Sequence, residues 1–186
     1  MQKVVLLGDS IRLLGYGEKV AQRLADVCTV WQPEENCRFV KYMLRMVHEC
    51  QEQLEDATVV HWNCGLWDVC DLFGDGPFTP EEEYVENVLR IARILQQGGR
   101  TVIFATTTPT HPSYLYNAYE RTIRYNQLVT PKLLEMGVQI NDLFAAMDPH
   151  RFDGICEDWI HLNEYGIAIC AQQTAQIIRH ALLSRA

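Results

Sequence analysis

The sequence predicts an α/β fold, a three-layer α/β/α sandwich on a five-stranded parallel sheet. Five short apolar runs alternate with amphipathic stretches along the chain. The first run, Lys3-Val4-Val5-Leu6-Leu7, is almost continuously apolar, as in a strand covered on both faces. The 186 residues, 48% hydrophobic and 22% charged, suit one domain with a buried core. We find no internal repeat, low-complexity tract or dividing linker, so a single domain over 1–186 is expected.

Each element follows from a local signal. A helical pattern surrounds Glu18 to Leu24, and Val27-Cys28-Thr29-Val30-Trp31 forms a second strand closed by Pro33. Phe39, Met43, Met46, Val47 and Cys50 recur at three- and four-residue intervals, which predicts a helix over Phe39 to Leu54. Ala57 to Trp62 reads as a third strand, and the Gly- and Asp-rich segment Asp68 to Pro80 as a loop. Thr79-Pro80 then opens a helix that stops at Gly98-Gly99. Thr101 to Thr106 is a fourth strand, Tyr116 to Met136 a helix with Pro131 inside it, and Gly137 to Ile140 a fifth strand. The last helix runs from near Asn163 to Leu183. Strands alternating with helices imply right-handed βαβ crossovers, which place ligands beyond the carboxyl ends of the strands.

Charge and cysteine content exclude some classes. Lys+Arg 16 against Asp+Glu 24 leaves a net charge of -8, contrary to what a nucleic-acid partner requires. No apolar run approaches the ~20 residues of a membrane span, and Val4 to Leu7 is shorter than the ~7–15 residues of a signal-peptide core. The expectation is therefore a cytoplasmic protein that engages no membrane. The seven cysteines, Cys28, Cys37, Cys50, Cys64, Cys70, Cys156 and Cys170, include no C-x-x-C pair. They read as reduced core residues, with Cys64 structural, and no metal or other cofactor is expected.

Two short motifs carry chemistry. Gly8-Asp9-Ser10 follows the first strand and holds one of only three serines in the chain. A serine on a turn entering a helix presents its hydroxyl to the crevice, and its own amide can help hold an oxyanion; taken alone, the same triplet fits a helix cap. Near the other end stands Asp158-Trp159-Ile160-His161, capped behind by Asn163. A three-residue offset lets a carboxylate fix one imidazole nitrogen and leaves the other free as a base; taken alone, it also fits a surface ion pair.

Together the motifs resemble the SGNH (GDSL-like) hydrolases, esterases and lipases on a flavodoxin-like sandwich. Thr106-Thr107-Thr108-Pro109, Arg124-Tyr125-Asn126 and Ile140-Asn141-Asp142-Leu143 look like a bacterial branch of that family. The resemblance implies Ser10 as nucleophile, His161 as base and Asp158 as its orienting carboxylate. It implies a Gly-x-Asn-Asp block after the third strand, where this chain has Asn63-Cys64-Gly65-Leu66-Trp67-Asp68. With Trp67 in the place of the asparagine, Asn63 is the preferred oxyanion donor and the Trp67 indole N–H the alternative. The family's second-block glycine is missing, so the backbone amide of Cys37 or Arg38 is expected to serve with that of Ser10. Asp9, Gly65, Trp67 and Trp159 are expected to contact substrate, and His111 and His150 lie in loops near the crevice. His61 is expected to be a packed core residue.

The function expected is a serine esterase that removes small acyl groups, acetyl foremost, from a carbohydrate or similar alcohol. Its partner is a small-molecule ester, and self-association into a homo-oligomer is left open. The altered second and third blocks motivate a second reading, an inactive binding module for an acylated sugar. A nucleotide- or phosphate-binding domain is the third, disfavoured by the lack of a glycine-rich phosphate loop.

Overall fold

The structure is a computed structural model that describes residues 2–184. Five strands form one all-parallel sheet: β1 (Gln2–Leu7), β2 (Cys28–Trp31), β3 (Val59–Asn63), β4 (Thr101–Ala105) and β5 (Gln139–Asn141), in the order β2-β1-β3-β4-β5. The helices are α1 (Gly17–Leu24), α2 (Val40–Glu49), α3 (Gln51–Glu55), α4 (Glu81–Leu95), α5 (Tyr119–Glu135), α6 (Leu143–Met147) and α7 (Glu164–Leu183). The sandwich predicted from the alternation is the one observed.

Strand pleating divides the apolar side chains between two cores. Val5, Leu7, Val60, Trp62, Val102 and Phe104 face α2, α4 and α5, while Val4, Leu6, Val59, Ile103 and Ala105 face α1 and α7. Leu7 pairs with Trp62, Trp62 with Phe104, and Phe104 with Ile140, so four strands end on one rim. Strand order reverses between β1 and β3, which leaves a crevice there, and Gly8-Asp9-Ser10 leaves β1 directly into it.

Differences from the sequence expectation are local. The helix expected over Phe39 to Leu54 is two helices, because Cys50 (φ -94, ψ 14) turns the chain between them. Helix α5 begins at Tyr119 because Ala118 is extended, and Pro131 lies inside it. The turn Ile11–Tyr16, with Gly15 outside helical φ/ψ, and α6 carry no sequence period long enough to read. No helix among the described residues is long and apolar enough to cross a membrane.

Candidate active site

Close packing shapes the turn after β1. A Cβ on Gly8 would fall 2.1 Å from Asn63 Oδ1 and 2.7 Å from Arg12 Cβ, so only glycine fits. Ile11 N–H and Asn63 Nδ2 both donate to Asp9 Oδ1, at 2.9 and 2.8 Å, and Tyr16 OH donates to Asn63 Oδ1 at 2.8 Å. This buried chain of hydrogen bonds anchors the residue before Ser10. Arg12, fully buried, donates to Gly8 O, Pro33 O and Glu35 O at 3.2, 2.7 and 2.8 Å, so it stitches the loop after β2 to the same turn.

The opposite wall is built by the loop before α7. Ile155 and Leu162 form an antiparallel bridge, and Cys156 N–H donates to His161 O at 2.7 Å. Asn163 caps α7 by accepting from Tyr165 and Gly166 N–H. Asp158 Oδ1 accepts from Ile160 and His161 N–H at 3.0 and 2.9 Å, and its Oδ2 accepts from His161 Nδ1 at 2.6 Å. Partial burial raises the Asp158 pKa, but the His161 ring and the two backbone donors outweigh it and leave the carboxyl below its ordinary value. With Nδ1 donating, His161 Nε2 carries a free lone pair.

Ser10 and His161 line one cavity of about 410 Å³. Its walls are mostly apolar: Leu14, Leu66, Trp67, Leu72, Phe78 and Ile160. The polar residues that join Ser10 and His161 there are Asn36, Tyr114 and Asn117, and among the described residues no Asp, Glu, Lys or Arg does. Among the described residues neither Ser10 Oγ nor His161 Nε2 has a hydrogen-bond partner.

Several expected contacts lie elsewhere. Asn63 is 4% exposed, is not on the cavity wall, and gives one Nδ2 hydrogen to Asp9. Cys37 N–H is engaged with Gly8 O at 3.0 Å, and Arg38 N–H with Asn36 Oδ1 at 2.8 Å. Neither backbone amide stands free for an oxyanion: closing the loop onto the turn after β1 occupies that of Cys37, and an Asx turn within the loop occupies that of Arg38. Asp9 is buried behind Ser10, and Gly65 (φ 142) packs on Thr107 away from the cavity lining. Trp67 does line the cavity. Trp159 (φ 68) stacks on His111 at 6.4 Å instead, and its carbonyl accepts from His111 N–H. His150 packs edge-on against Tyr165. His61 is buried, with its Nε2 bonded to Asn141, and Cys64 is buried with its thiol pushed well up by burial. Sequence reasoning missed Arg12, Asn36, Tyr114 and Asn117, none of which sits in a recognisable motif.

Asp68 carries a structural load. Both its oxygens accept from Val40 N–H and Oδ1 from Thr79 Oγ1, which caps the start of α2 from a distant loop. Burial pushes the Asp68 carboxyl up to about 6, and the same cause takes Asp9 to about 6. An unfolded aspartate releases its proton near ~3.9, so the folded chain binds more protons between the two values. The stability each group contributes is therefore full below about pH 4, falls as pH rises to about 6, and stays low above that. Urea unfolding of Asp68→Asn should show the variant gaining on the wild type by on the order of 2–3 kcal/mol from about pH 4 to about pH 7. A difference independent of pH would show that burial does not govern this carboxyl.

Comparison with solved structures places this architecture among known folds. The chain superposes on a lipase/acylhydrolase from Enterococcus faecalis with TM-score 0.82 and 17% identity, covering 97% of this chain and 96% of that one. The acetylxylan esterase AlAXEase gives TM-score 0.78 at 18% identity over 95% and 99% of the two chains. Axe2, an acetylxylan esterase from Geobacillus stearothermophilus, gives 0.75 at 17% over 95% and 94%. Catalytic mutants of Axe2 replace a serine, and an aspartate and a histidine three positions apart. No protein-family model and no curated protein matches the chain. At these identities the likeness establishes the fold alone, the three-layer α/β/α sandwich expected from the sequence, which this chain shares with these esterases.

Proposed function

We propose that the chain is a serine ester hydrolase in which Ser10 attacks, His161 moves the proton and Asp158 holds the imidazole. The observation that carries this reading is the cavity bordered by both Ser10 and His161, with His161 Nδ1 bound to Asp158 at 2.6 Å. The replaced serine, aspartate and histidine of Axe2 support it, since their types and the Asp-x-x-His spacing recur here.

In the proposed reaction Ser10 Oγ bonds to the ester carbonyl carbon while its proton passes to His161 Nε2. The carbonyl π pair moves onto oxygen and the Ser10 N–H receives it. Collapse breaks the bond to the alcohol oxygen, which takes the proton from His161 and leaves an acyl-enzyme. Water attacks next, giving its proton to His161, and the second collapse returns it to Ser10 Oγ. Asp158 stabilises the transient imidazolium without taking a proton.

The cavity size suits a small ester, in keeping with the short acyl group expected from the sequence. Its apolar walls favour an apolar group on the ester over the polyhydroxylated carbohydrate that the sequence reading put forward. Hydrolysis of 4-nitrophenyl acetate, butyrate and hexanoate should therefore be measurable, with kcat/KM rising by up to about fourfold per methylene until the cavity fills. Activity on acetylated sugars alone would overturn the apolar preference. No turnover of any ester would favour the non-hydrolytic binding module.

A further inference from the structure

Building on the serine-hydrolase reading, we propose that the side-chain amide of Asn36 is the second oxyanion donor, the task the family pattern gives to an asparagine after β3. A developing oxyanion needs at least one N–H beyond that of the nucleophile, presented inside the cavity and fixed in advance. The backbone amides first expected to supply it are otherwise engaged, Cys37 N–H with Gly8 O and Arg38 N–H with Asn36 Oδ1, and Asn63, which gives one Nδ2 hydrogen to Asp9, is not on the cavity wall.

Asn36 meets the requirement. It borders the same cavity as Ser10 and His161. Its Oδ1 accepts from Arg38 N–H at 2.8 Å, an Asx turn that holds Arg38 at φ 48. Only the oxygen end of a carboxamide can accept that bond, so the planar group is oriented and its Nδ2 hydrogens are directed away from Arg38. Nδ2 has no acceptor among the described residues. The backbone beneath is held on both sides, by Arg12 on Pro33 O and Glu35 O and by Cys37 N–H on Gly8 O. The amide is thus preorganised, and the donor has moved from the loop after β3 to the loop after β2. Asn36 donates a hydrogen bond as the carbonyl π pair localises on oxygen; it gives up no proton.

Asn36→Asp separates this role from a structural one. The aspartate still accepts from Arg38 N–H and keeps the turn, but it has no N–H to offer. We expect kcat for 4-nitrophenyl butyrate to fall about 10²–10³-fold, with KM changed less than about threefold. Asn36→Ala should lose kcat to a similar extent, and it serves as the test if the aspartate variant fails to fold. Asn36→Asp within about threefold of wild-type kcat, beside an active wild type and an inert Ser10→Ala, would overturn this role and leave the hydrolase reading standing. A wild type inert toward every ester would overturn both.

Discussion

Ser10→Ala should lower kcat for ester hydrolysis by about six orders of magnitude, the scale of losing a nucleophile whose partners cannot act alone. The substitution removes one oxygen from a residue only 8% exposed, and the turn around it is held by contacts the hydroxyl does not make. Gly8 still packs on Asn63, Asp9 still accepts from Ile11 and Asn63, and Arg12 still pins the neighbouring loop. Thermal stability should consequently stay within the roughly 0.5 kcal/mol typical of neutral changes. Stopped-assay kinetics and a melting curve on the same preparation check both halves. Substantial residual turnover in a fully folded variant would assign the chemistry to another group.

Asp158→Asn should cost about 10³-fold in kcat, less than the ~10⁴-fold found where such a carboxylate is buried, because solvent screens the Asp158 charge. Its side chain is 48% exposed. The variant is informative because asparagine Oδ1 can still accept from Ile160 and His161 N–H, the two bonds that shape the loop. What changes is the partner of Nδ1: an amide no longer offsets the imidazolium charge and can favour the wrong tautomer. A steady-state comparison with wild type should show the loss in kcat with KM little altered. Equal activity would mean that the 2.6 Å contact only braces the loop.

The legible parts of this protein are those governed by local periodicity. The run Val4 to Leu7, the three- and four-residue rhythm from Phe39 to Cys50, and the Asn163 cap each dictate an element from a few neighbouring residues. The parallel sheet with right-handed crossovers followed once strands alternated with helices. Ser10 and the pair Asp158 and His161 stood out because each belongs to a short motif at a strand end or helix start. The second and third blocks were not readable for a different reason. Whether a given N–H is free depends on contacts made across the chain, and the engagement of Cys37 N–H with Gly8 O joins the loop between β2 and α2 to the turn after β1. Asn63 has the right residue type and faces the right end of the sheet. It nonetheless lies off the cavity wall, giving one amide hydrogen to Asp9 in a bond between residues 54 positions apart. Arg12 was invisible for the same reason: a charged residue buried at 0% exposure owes its place to the carbonyls of Pro33 and Glu35, brought near it only by folding, beside that of Gly8.

Covalent trapping puts the proposed nucleophile to the sharpest test. Folded wild-type protein treated with an alkyl 4-nitrophenyl phosphonate should gain one phosphonyl group by intact mass, and peptide mapping should place it on Ser10. Ser10→Ala should gain none, and Asn36→Asp should react far more slowly. Modification of a different residue, or no modification while a known serine esterase reacts alongside, would remove Ser10 from the role proposed for it.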